Sequence, residues 1–237
     1  MIKISKRLTM AASLINDGNV LADVGTDHGY VPIYLVEQGK IQRAVAMDIN
    51  KGPLERAKAH IAQYGMEQYI ETRLSDGVEA LAVGEADTLL IAGMGGGLVI
   101  HILTAGREVC QGAKALVLQP QSELERVRYF LTEEGYVTDA EEMTEEDGKY
   151  YPMMRVHYEP QRKNIKGKKQ VFFIYGQMLL ENRHPVLHQF LEKEQKVYQG
   201  ILENLKKQPQ TAQIVLRTGE IEAALEWNKE ALNYYYR

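Results

Sequence analysis

The chain has 237 residues, enough for one large α/β domain with an accessory piece or for two small domains, and its 45% hydrophobic and 25% charged residues are those of a packed globular protein, not a disordered or collagen-like one. A single cysteine excludes an internal disulfide, so nothing calls for an oxidising compartment and a cytoplasmic protein is expected. The net charge of −4 argues against a globally basic nucleic-acid binder but not against a local basic patch, because counterion release depends on the charges beside the phosphates.

Met1 to Arg7 is basic, but Leu8 to Ile15 is diluted by Thr9 and Ser13 and stopped at Asn16-Asp17-Gly18, the pattern of a short amphipathic helix and not of a signal peptide. Apolar, β-rich runs follow at Val20 to Val24, Arg43 to Met47, Ile70 to Leu74, Thr88 to Ala92 and Lys114 to Leu118, with helical patterns between them. That alternation predicts a parallel, doubly wound α/β sheet. The most apolar stretch, Leu89 to Leu103, holds four glycines and a histidine and does not have the length of a membrane span, so no membrane association is expected.

A helix is predicted from about Ser122 to Glu133. Beyond it, Tyr136 to Met143 and Tyr150 to Tyr158 flank an acidic turn ending Asp147-Gly148. Strands joined this closely are antiparallel. A parallel sheet closed by a hairpin is how a class I (Rossmann-like) methyltransferase sheet ends, whereas a nicotinamide-binding sheet closes with a further parallel strand. From Glu159-Pro160 the composition shifts to a basic linker, Gln161 to Lys169, which sets a boundary between residues 1–160 and a C-terminal arm, 161–237. In the arm Leu187, Phe190, Val197, Ile201 and Leu205, then Ile221, Leu225, Asn228, Leu232 and Tyr235, repeat at helical spacings. The break at Gln208-Pro209-Gln210 predicts an antiparallel, coiled-coil-like pair. A stabilising hairpin, a subunit contact and an RNA-gripping arm are equally open readings.

Chemistry concentrates at the strand ends. Asp23-Val24-Gly25-Thr26-Asp27-His28-Gly29 follows the first strand and leads into a helix, where glycine permits a sharp turn and the helix start offers unpaired N–H groups. Its Gly-x-x-x-Gly spacing lacks the dinucleotide pattern, and an acid inside the strand suits a ligand's ammonium. Asp48, before Ile49 and 23 residues after Gly25, is placed to accept hydrogen bonds from ribose hydroxyls. Ser75-Asp76-Gly77 ends the third strand, where a side chain reaches an adenine amine or merely caps a turn. Ala92-Gly93-Met94-Gly95-Gly96-Gly97 ends the fourth, where backbone groups lie open to a ligand. Gln119-Pro120-Gln121 ends the fifth, with a proline that aims the Gln119 amide or simply terminates the strand.

Taken together, Ser5-Lys6-Arg7-Leu8, Leu21 to His28 with Pro32, Ile91 to Gly96, Leu118-Gln119-Pro120 and Glu145 to Lys149 resemble the bacterial TrmK family of tRNA (adenine-22 N1) methyltransferases. The resemblance covers Ser5 to Val156 in motif and the arm in pattern only. Where the family commonly has Gln-Pro-Asn, this chain has Gln119-Pro120-Gln121. The resemblance implies S-adenosyl-L-methionine as cofactor and tRNA as substrate, with no metal and no obligate protein partner. It assigns cofactor binding to Arg7, Asp23, Gly25, Thr26, Asp27, His28, Gly29, Asp48, Ile49, Ser75, Asp76, Gly77, Ala92, Gly93, Met94 and Gly95. Asp27 and His28 are expected nearest the methyl group, with Met94 and Gln119 positioning the target base. Lys3, Lys6, Arg162, Lys163, Lys166, Lys168 and Lys169 are the candidate RNA contacts. Competing expectations are a dehydrogenase, a methyltransferase of another RNA or small molecule, and a non-catalytic cofactor-binding module.

Overall fold

In the computed structural model, which describes residues 2–16, 19–162 and 167–236, the apolar runs become one seven-stranded sheet. Its strands are β1 (Asn19–Val24), β2 (Ile41–Asp48), β3 (Ile70–Leu74), β4 (Thr88–Met94), β5 (Ala115–Pro120), β6 (Tyr136–Glu146) and β7 (Lys149–Tyr158). The order is β3-β2-β1-β4-β5-β7-β6, with β1 to β5 parallel and the last two antiparallel. The β6–β7 turn is two residues, Asp147 and Gly148, both at positive φ (53° and 76°), the combination whose twist matches a hairpin. A class I methyltransferase sheet ending in an antiparallel hairpin is therefore what the sequence folds into.

The central strands are continuous hydrophobic runs because both faces are covered. Ala22, Leu89, Ile91, Leu116 and Leu118 point to one side, where they meet Val99, Ile102 and Leu103 of α4 (Gly96–Ala105), Cys110 of α5 (Arg107–Gly112), and Val127 and Leu131 of α6 (Leu124–Glu134). Leu21, Leu90 and Val117 point to the other, against Ala11 and Ala12 of α1 (Lys6–Ser13), Val31, Ile33 and Leu35 of α2 (Tyr30–Glu37), and Ile61 of α3 (Lys51–Gln63). The leading helix starts where Ser5 Oγ accepts from the Leu8 N–H at 3.2 Å.

The chain divides into two compact units, Met1–Gly167 and Lys168–Arg237. The second is helical throughout: α7 (Gln170–Tyr175), α8 (Gln177–Glu181), α9 (Pro185–Lys206) and α10 (Ala212–Leu232). Pro185 sits in the first turn of α9, where its missing N–H costs nothing, and the last two helices pack as an antiparallel pair around Leu202, Leu205, Ile221 and Leu225. The buried face of α9 is rotated from the expected one. Leu191 and Leu202 are buried while Val197 is 51% exposed, since one residue of slip turns a helix by about 100° and the apolar spacing alone does not fix which edge of the stripe is covered. Buried Asn228 donates from Nδ2 to the Leu191 carbonyl and to Glu194, both at 3.0 Å, and Glu194 also accepts from the hydroxyls of Tyr175 and Tyr198.

Candidate active site

The helices after β1 and β4 leave on opposite faces of the sheet, so the crevice between these neighbours opens at their carboxyl ends, the place where open α/β sheets bind ligands. A cleft of about 480 Å³ lies there, lined by Asp23, the turn from Gly25 to Val31, Lys3 to Ser5, Arg7, Leu8, Leu90, Ala92, Gly93 and Gln121. Gly25 adopts φ 77°, and the N–H groups of Gly25 and Thr26 both donate to the Met47 carbonyl at 2.8 and 2.7 Å, which locks the turn to β2. A Cβ on Gly25 would stand 2.1 Å from Met94 Cε, so the Met94 side chain lies across the turn. Thr26 is buried and its Oγ1 accepts from the Gly29 N–H at 3.2 Å.

Asp23 is 8% exposed. Burial pushes its carboxyl from the ordinary 3.8 up to about 6, a hydrogen bond with Thr26 opposes the rise, and the nearby Asp48 carboxylate adds to it. A cation brought to Asp23 would relieve this cost.

Next along the turn, the Asp27 carboxylate is held at both oxygens: Oδ1 by Arg56 Nη2 at 2.5 Å and Oδ2 by His28 Nε2 at 3.0 Å. The His28 ring lies nearly parallel to those of Tyr30 and His60, with centroids 4.9 and 5.3 Å away, and its carbonyl meets His60 Nδ1 at 3.1 Å. His28 Nδ1 is buried without a hydrogen-bond partner among the described residues. Arg56 and His60 stand one turn apart on α3 and so reach the same segment.

At the end of the adjacent strand β2, Asp48 Oδ1 accepts from the Asn50 N–H at 2.7 Å, and Ile49, Leu74, Ser75, Asp76, Glu79 and Ala80 line a second hollow of about 380 Å³. Ile49 and Leu74 are 57% and 48% exposed, an apolar slot edged by the carboxylates of Asp76 and Glu79. The Ser75 hydroxyl is engaged by its own turn, donating to the Gly77 carbonyl and accepting from the Ala80 N–H.

On the β5 side Gln119 is wholly buried and does not line the cleft. Its Oε1 accepts from Arg7 Nη1 at 2.9 Å and from the Gly93 N–H at 3.2 Å, and Arg7 also lies over the Tyr151 ring. The glutamine exposed to the cleft is Gln121, whose N–H donates to the Met94 carbonyl. The glycine run divides by role. Gly93 lines the cleft, whereas a Cβ on Gly96 would come within 2.5 Å of the Ser122 carbonyl and 2.9 Å of Val127, so that glycine serves helix packing, as Gly95 does beside the Ser122 hydroxyl.

The basic residues are scattered in role. Lys3 lines the cleft, the Lys6 Nζ donates to the Glu145 carbonyl, and Arg162 pairs with Glu159. Lys169 donates to the Tyr234 hydroxyl and lies over the Phe172 and Tyr234 rings. Lys168 is exposed, and Lys163 and Lys166 lie outside the described residues. Sequence reasoning missed Tyr30, Arg56, His60 and Gln121. Of these only Tyr30 and Gln121 carried a signal, by standing beside motif residues.

A parallel sheet closed by a hairpin, with an acid and a glycine turn after β1 and a further acid after β2, defines a class I methyltransferase, and residues 4–154 match the methyltransferase domain family. The chain is 33% identical over 98% of its length, and 98% of the relative's, to the tRNA (adenine(22)-N(1))-methyltransferase of Bacillus subtilis strain 168. It therefore belongs to the TrmK family of tRNA (adenine(22)-N(1))-methyltransferases. The crystal structure of the B. subtilis enzyme superposes with a TM-score of 0.85, covering 98% of this chain and all of that one. A candidate tRNA (m1A22) methyltransferase of Streptococcus pneumoniae in complex with S-adenosyl-L-methionine gives 0.84 at 30% identity, over 97% of this chain and all of that one. TrmK of M. capricolum in complex with S-adenosyl-homocysteine gives 0.81 at 26% identity, over 98% of both.

Proposed function

We propose that this enzyme transfers the methyl group of S-adenosyl-L-methionine to N1 of adenine 22 in tRNA, and that it does so in the cytoplasm, the compartment of its substrate. The observation that carries the reading is the buried Asp23 beside the Gly25 turn, in the cleft at the carboxyl ends of β1 and β4, with Asp48 and the Ile49–Leu74 slot at the ends of the next two strands. These residues fit a sulfonium nucleoside. Asp23 would meet the amino-acid ammonium, Gly25 would leave room for backbone approach, Asp48 would accept from ribose hydroxyls, and the slot edged by Asp76 would take the purine and its amine. When bound, that cofactor supplies an electrophilic methyl carbon to the base.

The N1 lone pair of adenine is free at neutral pH, so no residue has to remove a proton first. The chain's work is then alignment, exclusion of water and electrostatic support for the charge that appears on the base. Asp27, held by His28 at the cleft wall, supplies a carboxylate for the cationic methyladenine. Gln119 acts at one remove, holding Arg7 and the Gly93 N–H in place, and Gln121 borders the space left for the base, whereas Met94 lies across the Gly25 turn and does not line the cleft. N1 belongs to the Watson–Crick edge, so the nucleotide must leave its stack to enter the cleft. Lys3, Lys6 and the basic residues from Arg162 to Lys169 supply phosphate contacts.

The test is to incubate the protein with unmodified tRNA and labelled S-adenosyl-L-methionine, then locate 1-methyladenosine by nuclease digestion and mass spectrometry. Label at position 22 is expected. Cofactor binding without any methylated tRNA refutes the reading in favour of a binding module or another acceptor.

A further inference from the structure

The two partners of Asp27 differ in permanence. His28 is 31% exposed and fixed in the parallel cluster with Tyr30 and His60, whereas Arg56 is 50% exposed and meets an oxygen of a side chain that is itself 61% exposed. An exposed pair of this kind is weak and exchanges readily. Arg56 also stands on a helix that displays two further exposed cations, Lys51 and Lys58.

Adenine places its exocyclic N6 amine, a donor, next to N1. Because N1 must keep its lone pair for the methyl carbon, the amine is the group through which a protein can hold that edge. A carboxylate oxygen accepts from it, and the contact strengthens as positive charge spreads from N1 to N6, which is the kind of interaction that favours the transition state. The guanidinium of Arg56 and the amine of adenine are both donors and compete for Asp27 Oδ1. With Arg56 in place, the carboxylate is already neutralised and offers little to a nascent cation.

We propose that Arg56 is a placeholder: it covers Asp27 Oδ1 in the free enzyme and, when the adenine amine takes that oxygen, moves onto a phosphate of the incoming RNA. The exchange rests on the reading of the protein as a tRNA adenine methyltransferase. It makes Arg56 a positioning residue that couples RNA docking to the unmasking of Asp27, and it disfavours guanine, whose O6 acceptor would face a carboxylate.

The test is the salt dependence of tRNA binding, measured with S-adenosyl-homocysteine present, for the wild type, Arg56→Gln and Arg56→Lys, and for Asp27→Asn with and without Arg56→Gln. Losing one phosphate contact lowers the slope of log Kd against log salt by about one. That decrease is expected from Arg56→Gln in both backgrounds, and Arg56→Lys, which keeps the charge, restores the slope. A slope unmoved by Arg56→Gln overturns the proposal and leaves Arg56 as a brace for Asp27. Failure of the wild type to form 1-methyladenosine is separately visible and refutes the underlying reading itself.

Discussion

Asp23→Asn is the most informative substitution, because the fold holds this carboxylate at a cost that binding should recover. The carboxyl sits at about 6 against an ordinary 3.8. At about 1.4 kcal/mol per pH unit the displacement corresponds to about 3 kcal/mol of folding free energy. The direction follows from the protonation states. Below about pH 4 Asp23 is protonated folded or unfolded and the penalty vanishes, while above about 6 it is ionised in both and the folded state bears all of it. The wild type should therefore lose stability as pH rises from 4 to 6, and Asp23→Asn should lack this loss and be the more stable apo protein at pH 7 by up to about 3 kcal/mol.

Binding runs the other way. An ammonium group needs the ionised carboxylate, so titration calorimetry with S-adenosyl-homocysteine should show wild-type affinity rising by about fivefold between pH 5 and 6, where the competent fraction grows, by about twofold more to pH 7, and flattening above. Asp23→Asn should bind at least about tenfold more weakly at pH 7 and show no such rise. A wild-type affinity that is flat from pH 5 to 7, or a rise that survives in Asp23→Asn, would refute the assignment of Asp23 to the cation.

Asp27→Ala should keep S-adenosyl-homocysteine affinity within about twofold yet lose on the order of 100-fold in kcat, read in a single-turnover methylation assay; full turnover would remove Asp27 from the chemistry. Gly25→Ala combines a left-handed φ with a Cβ 2.1 Å from Met94 Cε, so a stability loss of about 1–3 kcal/mol in thermal melts and weakened cofactor binding are expected. Gln119→Ala releases Arg7 and the Gly93 N–H and should raise the Kd for cofactor by about tenfold, corresponding to one charge-assisted hydrogen bond. Replacing Arg162, Lys163, Lys166, Lys168 and Lys169 together by Gln should weaken tRNA binding and flatten its salt dependence; an unchanged slope assigns the segment to linkage alone.

The sheet was legible because the central parallel strands are short runs buried on two faces and punctuated at their carboxyl ends by an acid, glycine or proline. The strands extend beyond the expected limits where polar residues obscure them: β2 starts at Ile41, two residues before the expected Arg43, with exposed Gln42 hiding its start, and β6 runs on to Glu146 through Thr144 and Glu145. Asp23, Asp48 and Ile49 could be placed at the strand ends because the strand-end rule depends on chain order alone. Arg56 could not, since its contact with Asp27 spans 29 residues and depends on how α3 packs beside the first turn, which no local pattern encodes. Gln119 and Gln121 show the limit of alternation as a guide. The proline between them ends the strand, and the amide that points inward is the one that the chemistry seemed to want outside.

Arg7 meets Gln119 across 112 residues of chain, and the Lys6 N–H meets Glu146 across 140. The leading helix thus takes its moorings from the final parallel strand and from the hairpin, elements that lie more than a hundred residues further along the chain. A nascent chain lacking those strands has Asp23 and Asp48 but no wall on that flank of the crevice. The crevice is accordingly walled on both flanks only once the strands farthest along the chain have joined the sheet.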